Sequence, residues 1–199
     1  MHHLTLSSTS RPALTPWGLR LLALLLALVL LGGCRASGPG SPARSVAAFF
    51  SKYHDQPGFH TTEWSADLLQ RLALVRVGKL LGGSDLTNAI TGIRTARVLS
   101  FVPTSAAARD LSRQGLTSEA TGLLNAERYT SLAANNGSAA YNYVMKADGD
   151  KVSELVATGG LPDATGSFVL AQVQGNFTRA QAEALARVLP DVVQQTVRP

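Results

Sequence analysis

The sequence predicts an α+β fold: a single domain whose antiparallel sheet consists of a four-strand C-terminal meander plus one or two earlier strands, with helices packed mainly on one face. Three observations predict it. Apolar residues recur at helical spacing before residue 126 and again after residue 178. Between these regions lie four short β-forming runs, "YTSLAA", "SAAYNYVMKA", "KVSELVAT" and "GSFVLAQVQG". The runs are joined by "NNGS", "DGD" and "GGLPDATG", in which Asn136-Gly137 and Asp148-Gly149 favour the positive φ of tight hairpin turns.

Taken in order, the first helix covers "RSVAAFFSKYH", where Val46, Phe49, Phe50 and Tyr53 share one face. Pro57-Gly58 ends it, and Phe59, Thr61, Thr62 and Trp64 read as a strand. Ser65 is placed to cap a helix over "ADLLQRLALVRVG", which Gly78 or Gly82-Gly83 terminates. Ser84 or Asp85 starts another short helix. "IRTARVLSFVP" is a strand closed by Pro103, with an imperfect alternation that leaves its buried face open. A helical stretch spans 104–126, with Gly115 as a break point. Thr178 and Gln181 form a capping box for "RAQAEALARVL", and Pro190 is expected to stop that helix and leave 191–199 loose. The expected globular domain is therefore 44–190.

The first 33 residues have a different character. A basic, polar segment holding His2, His3, Arg11 and Arg20 precedes the apolar stretch Leu21 to Gly33, 13 residues long. As a helix this stretch is about 20 Å long, short of the roughly 30 Å of a bilayer's hydrocarbon. Extending it backwards would bury Arg20. This is the pattern of an export signal. "LGGC", Leu31 to Cys34, further resembles the lipobox of bacterial lipoproteins; an ordinary signal peptide, or a single-pass anchor with an incidental cysteine, is the competing reading. The lipobox resemblance implies cleavage after Gly33, a diacylglyceryl thioether on Cys34, and acylation of the new amino terminus. Several acyl chains at one site anchor firmly, because each buried CH₂ contributes about 0.8 kcal/mol. "RASGPGSPA", 35–43, then reads as a flexible tether. Arg35 after the cysteine, where an aspartate often retains lipoproteins at the inner membrane of diderm bacteria, favours the outer membrane.

Once the leader is removed, 16 basic and 13 acidic residues remain, a mild excess with no run of Lys or Arg. Nucleic-acid binding calls for clustered basic residues interleaved with aromatics, so no nucleic-acid partner is expected. Cys34 is the sole cysteine, and its use as an anchor leaves no thiol for a disulfide, a metal or catalysis. His54 and His60 are the only histidines after the leader. With Asp55 and Glu63 they form the only candidate catalytic or metal-binding group, and two exposed polar side chains are the simpler reading. No G-x-S-x-G is present, "GKLLGG" lacks the phosphate-loop ending, and "DGD" lacks the later ligands of a calcium loop. Trp64, Tyr141 and Tyr143 could line a ligand groove, but aromatics in strands usually pack in a core.

"FFSKYHDQPGFHTTEWS", "GIRTARVLSFVP", "YNYVMKADGDKVSELVATGG" and "FVLAQVQGNFT", in that order, resemble the exported bacterial family DUF 4252, a domain of unknown function, over about Val46 to Leu189. The resemblance implies a small exported or lipid-anchored protein and supplies no catalytic residue. This chain departs from the family's lysine-rich surfaces in being rich in Ala and Arg. The expected function is that of a lipid-anchored cell-envelope protein without a cofactor. It would be a non-enzymatic binding or regulatory module that contacts the membrane through its anchor and an envelope protein or small ligand through its domain. The alternative is an envelope hydrolase or metal-assisted enzyme using the His54/His60 region.

Overall fold

The computed structural model describes residues 40–65, 84–132 and 141–197. The assigned export signal, Gly33, Cys34, most of the tether, the helix expected after Ser65 and the "NNGS" turn lie outside these residues. The order of elements is α1 (Val46–Tyr53), β1 (Phe59–Ser65), α2 (Ser84–Thr91), β2 (Ile93–Phe101), α3 (Ala106–Asp110), a π-helical segment (Leu111–Leu116), α4 (Thr117–Ala126), β3 (Thr130–Ser131), β4 (Tyr141–Asp148), β5 (Lys151–Gly159), β6 (Phe168–Thr178) and α5 (Arg179–Val197). No helix among the described residues is long and apolar enough to cross a membrane.

The six strands form one open antiparallel sheet in the order β1-β2-β6-β5-β4-β3. The C-terminal meander is present as expected, and the β1–β2 pair joins it along β6. Asp148 pairs with Lys151 across a two-residue turn in which Gly149 has φ 61°. Positive φ falls on Gly149, the first central residue, as in hairpin turns that open on glycine, while Asp148 is the last residue of the strand. The fold class is therefore α+β in a single domain.

One detail departs from the expectation: helices cover both faces of the sheet. Along β6, Phe168 and Leu170 join one apolar cluster, while Val169, Ala171 and Val173 join another. Strand side chains alternate between faces, so the two clusters lie on opposite sides. On the first face α2 and α5 pack over Trp64, Ala96, Met145 and Leu155. On the second, α1, the π-helical segment and α4 pack over Phe59, Leu99, Val156 and Leu170. The unbroken apolar run of β6 is the sequence mark of a strand buried on both sides. Read as part of a half-exposed meander, it favoured helices on one face.

The second departure is at the C-terminus. The Thr178–Gln181 capping box forms, with Thr178 N donating to Gln181 Oε1 at 2.8 Å and Gln181 N to Thr178 Oγ1 at 3.3 Å. Pro190, however, does not stop the helix, which runs on to Val197. Proline removes one backbone donor inside a helix. Burial of Val193 and packing of Val192 and Val197 on the first cluster outweigh that loss, so 191–197 are not a loose tail.

The chain enters the domain through two carboxylates of the α4 region. Glu119 accepts from Ala43 N at 2.6 Å, from Lys52 Nζ at 2.9 Å and from the Tyr53 hydroxyl at 2.8 Å. Its ion pair with Lys52 is largely buried, and the hydrogen bonds to both partners offset the desolvation that burial costs. Glu127 accepts from Val46 N through one oxygen and from Lys146 Nζ through the other, both at 3.3 Å. At the Gly115 break point the helix stays continuous by widening into a π turn, where Thr117 Oγ1 donates to Ser112 O at 3.0 Å.

Candidate functional site

The sequence-derived candidates do not come together. His54 is exposed, with Nδ1 2.7 Å from Asp55 Oδ1, beside a shallow depression shared with Thr61, Glu63 and Arg97. His60 is also exposed, but it lies one position from Thr61 on β1 and so projects from the opposite face of the sheet. Among the described residues, no group of three or more His, Asp or Glu side chains is placed to hold a metal ion. Trp64 and Tyr143 are buried in the first cluster, and Tyr141 packs at its edge. Trp64 is in register with Ala96, Val173, Leu155 and Met145 in turn. It thus lies four strand spacings, about 19 Å, from the strand of the two tyrosines, and the three rings line no common groove. The rings of Tyr141 and Tyr143 are 6.4 Å apart. Burial, and secondarily Tyr141, pushes the Tyr143 phenol up to about 12.

A different site forms where β4 ends, β5 begins, β6 ends and β2 begins. Here the ladder loses its register three times: between Ile93 and Thr95, between Lys146 and Ala147, and between Val152 and Glu154. Arg94 is the extra residue of β2 against β6, and Ser153 that of β5 against β4. Such irregularities re-aim side chains and gather beside functional sites. They are held by close backbone contact. Asn176 N donates to Gly92 O at 3.1 Å, and a Cβ on Gly175 would overlap that carbonyl and the Phe177 ring. Only glycine fits there.

The distorted corner encloses a groove of 660 Å³. Four cations line it: Arg94 from β2, Arg128 from the turn after α4, Lys146 from β4 and Lys151 from β5. Asp148 is the one carboxylate in the lining. Arg94 Nη2 donates to Gly175 O at 3.2 Å, and Lys146 lies over the Tyr129 ring at 4.7 Å while pairing with Glu127. The side chains of Arg128 and Lys151 make no hydrogen bond or ion pair among the described residues. Unpaired cations in one concavity focus a positive potential that attracts anions.

Behind the groove, on the second face of the sheet, runs a buried polar chain. Arg97 Nε donates to Gln172 Oε1, Gln172 Nε2 donates to Glu154 Oε1, and the Tyr129 hydroxyl donates to the same oxygen at 2.6 Å. Burial and the Glu154 carboxylate both drive the Tyr129 phenol well above the ordinary tyrosine range, so it remains a donor. The Arg97 guanidinium stacks 4.2 Å over the Phe50 ring. Tyr129, whose ring lies under Lys146, ties this chain to the edge of the groove.

A family model described as a domain of unknown function, DUF4252, matches residues 53–185. The chain belongs to the DUF4252 family. No curated protein and no solved structure matches the chain. The family match runs from the last residue of α1 into α5, so the whole sheet of this DUF4252 domain, including the four cations of the groove, falls within it.

Sequence reading missed the groove because its cations are dispersed. Arg94, Arg128, Lys146 and Lys151 belong to four different segments, and only the strand order β2-β6-β5-β4 brings them to one corner. The available signal was local. Each lies beside a turn or an irregular strand end, and "GIR" and "QGN" carry the glycines that fix that corner of the DUF4252 sheet.

Proposed function

We propose that this DUF4252 protein is a lipid-anchored cell-envelope protein, acylated at Cys34, whose domain is a non-enzymatic binding or regulatory module, and that the cationic groove is its ligand-binding surface. The observation that carries the reading is the groove: four cations from four segments, two of them unpaired among the described residues, around a concavity of ligand size. The adjoining polar groups hold one another and present donors and charge rather than a nucleophile with its base. An anchored domain of this kind would sample ligands or partners close to the bilayer.

Two experiments test the reading. Cells labelled with radioactive palmitate should show acylation of the wild type and none of Cys34→Ala; a labelled variant would remove the anchor. Full-length protein in nonionic detergent should be titrated with a panel of small carboxylates, sulfates and phosphates. Saturable binding of at least one compound, recovered chemically unchanged, is expected. Failure of the whole panel, or turnover of a bound compound, would remove the binding module.

A further inference from the structure

We infer that the groove takes a ligand carrying at least two phosphate charges, and that Arg128 is kept in a strained backbone conformation in order to clamp it. The inference rests on the groove being a binding surface and names the chemistry of its ligand. Arg128 is the only non-glycine residue with positive φ among the described residues, at 60°. It occupies the position just past α4 where Arg128 N donates to Asn125 O at 3.1 Å and Tyr129 N to Leu124 O at 3.0 Å. This paired pattern closes many helices, and its left-handed residue is usually glycine because a Cβ is disfavoured there. The sequence places an arginine where glycine would relieve the backbone. The side chain it gains has no partner among the described residues and lines the cationic groove. Such strain is retained where a side chain has work to do.

The cation set indicates the ligand. Lys146 is already matched by Glu127, and Asp148 offsets part of the remainder, leaving two guanidinium forks and the Lys151 ammonium. A single carboxylate would leave most of this charge uncompensated. Guanidinium forks match phosphate oxygens in bidentate geometry, and a lysine adds a point charge. A pyrophosphate or a bisphosphate, whether on a soluble metabolite or on a lipid headgroup, meets that charge in full.

The test uses full-length protein in nonionic detergent, inorganic pyrophosphate as the soluble probe, and vesicles of zwitterionic lipid with or without diacylglycerol pyrophosphate. Pyrophosphate should bind saturably, more tightly than acetate or sulfate, and should weaken with added salt. Arg128→Gly should lose about tenfold or more in pyrophosphate affinity, as expected for a charged hydrogen-bonding partner, while its Tm rises by about 2–4 °C. Loss of affinity together with gain of stability separates a clamp from damage to the fold. Arg113→Ala, outside the groove and paired with Asp110, should change neither. Vesicle binding in excess of that to zwitterionic lipid alone, displaced by pyrophosphate, would identify a lipid headgroup as the source. Pyrophosphate binding without any excess of vesicle binding over zwitterionic lipid would identify a soluble ligand. Unchanged affinity in Arg128→Gly, or an excess of vesicle binding over zwitterionic lipid that pyrophosphate does not displace, would overturn the inference. If a carboxylate binds and pyrophosphate does not, the phosphate assignment falls while the groove remains a binding surface.

Discussion

Raising the pH should unfold this domain through its tyrosines. The chain has four, and each is buried or half-buried with its phenol raised above the ordinary value near 10: Tyr53 by burial and then Glu119, Tyr129 by burial and then Glu154, Tyr141 by burial, Tyr143 by burial and then Tyr141. Below pH 10 both folded and unfolded chains hold these protons, and the contribution to stability is level. Above it the unfolded chain releases protons that the folded chain retains, so stability falls as pH rises. Tyr143, raised from 10.0 to about 12, alone removes about 1.4 kcal/mol by pH 11 and about 2.3 kcal/mol by pH 12. The other three act in the same direction, against a total stability on the order of 5–15 kcal/mol. The assay follows tyrosinate absorbance in the near ultraviolet and helical circular dichroism on one alkaline titration. The two signals should change together, cooperatively, above pH 10. Tyrosinate appearing with a midpoint near 10 while the dichroism holds would refute the burial argument.

Three further outcomes follow from the packing. Tyr129→Phe should destabilise by about 1–3 kcal/mol, because it removes a donor from the buried Glu154 carboxylate; in a Glu154→Gln background the loss should shrink, and a denaturant double-mutant cycle showing strict additivity would deny the coupling. Val193→Ala should cost about 2 kcal/mol by chemical denaturation, since its side chain is fully buried beyond Pro190; a change within about 0.5 kcal/mol would mean that the helix end carries no packing. Gly175→Ala should destabilise by at least about 1–3 kcal/mol, because its Cβ would overlap Phe177 and the Gly92 carbonyl; a neutral result would show that the corner yields easily.

The parts of the fold that were legible are those governed by local chemistry. The Val46, Phe49, Phe50, Tyr53 stripe, the Asp-Gly turn and the Thr178–Gln181 box each state a short-range preference that nothing in the tertiary structure opposes. The parts that were not legible depend on residues far apart in sequence. Pro190 is a helix breaker by itself, and only the neighbours of Val193 reverse the outcome. The alternation of β2 was ambiguous because Val98 and Leu99 are both buried, on opposite faces under different helices. His54 and His60 looked like a pair because they are six positions apart, yet His54 ends α1 on the second face while the pleat of β1 turns His60 to the first. The groove required the strand order, which no local pattern contains.

The carboxylates Glu119 and Glu127 turn the entry of the chain into a mechanical joint. A pull applied at residue 43 is not borne by a fraying end but is divided between the Glu119 contacts to Ala43, Lys52 and Tyr53 and the Glu127 contact to Val46. Through its second oxygen Glu127 also holds Lys146, and its chain neighbour is Arg128. On the proposed anchoring, a load arriving through residue 43 would therefore end one residue from the groove, at a carboxylate shared by the end of α4 and by β4.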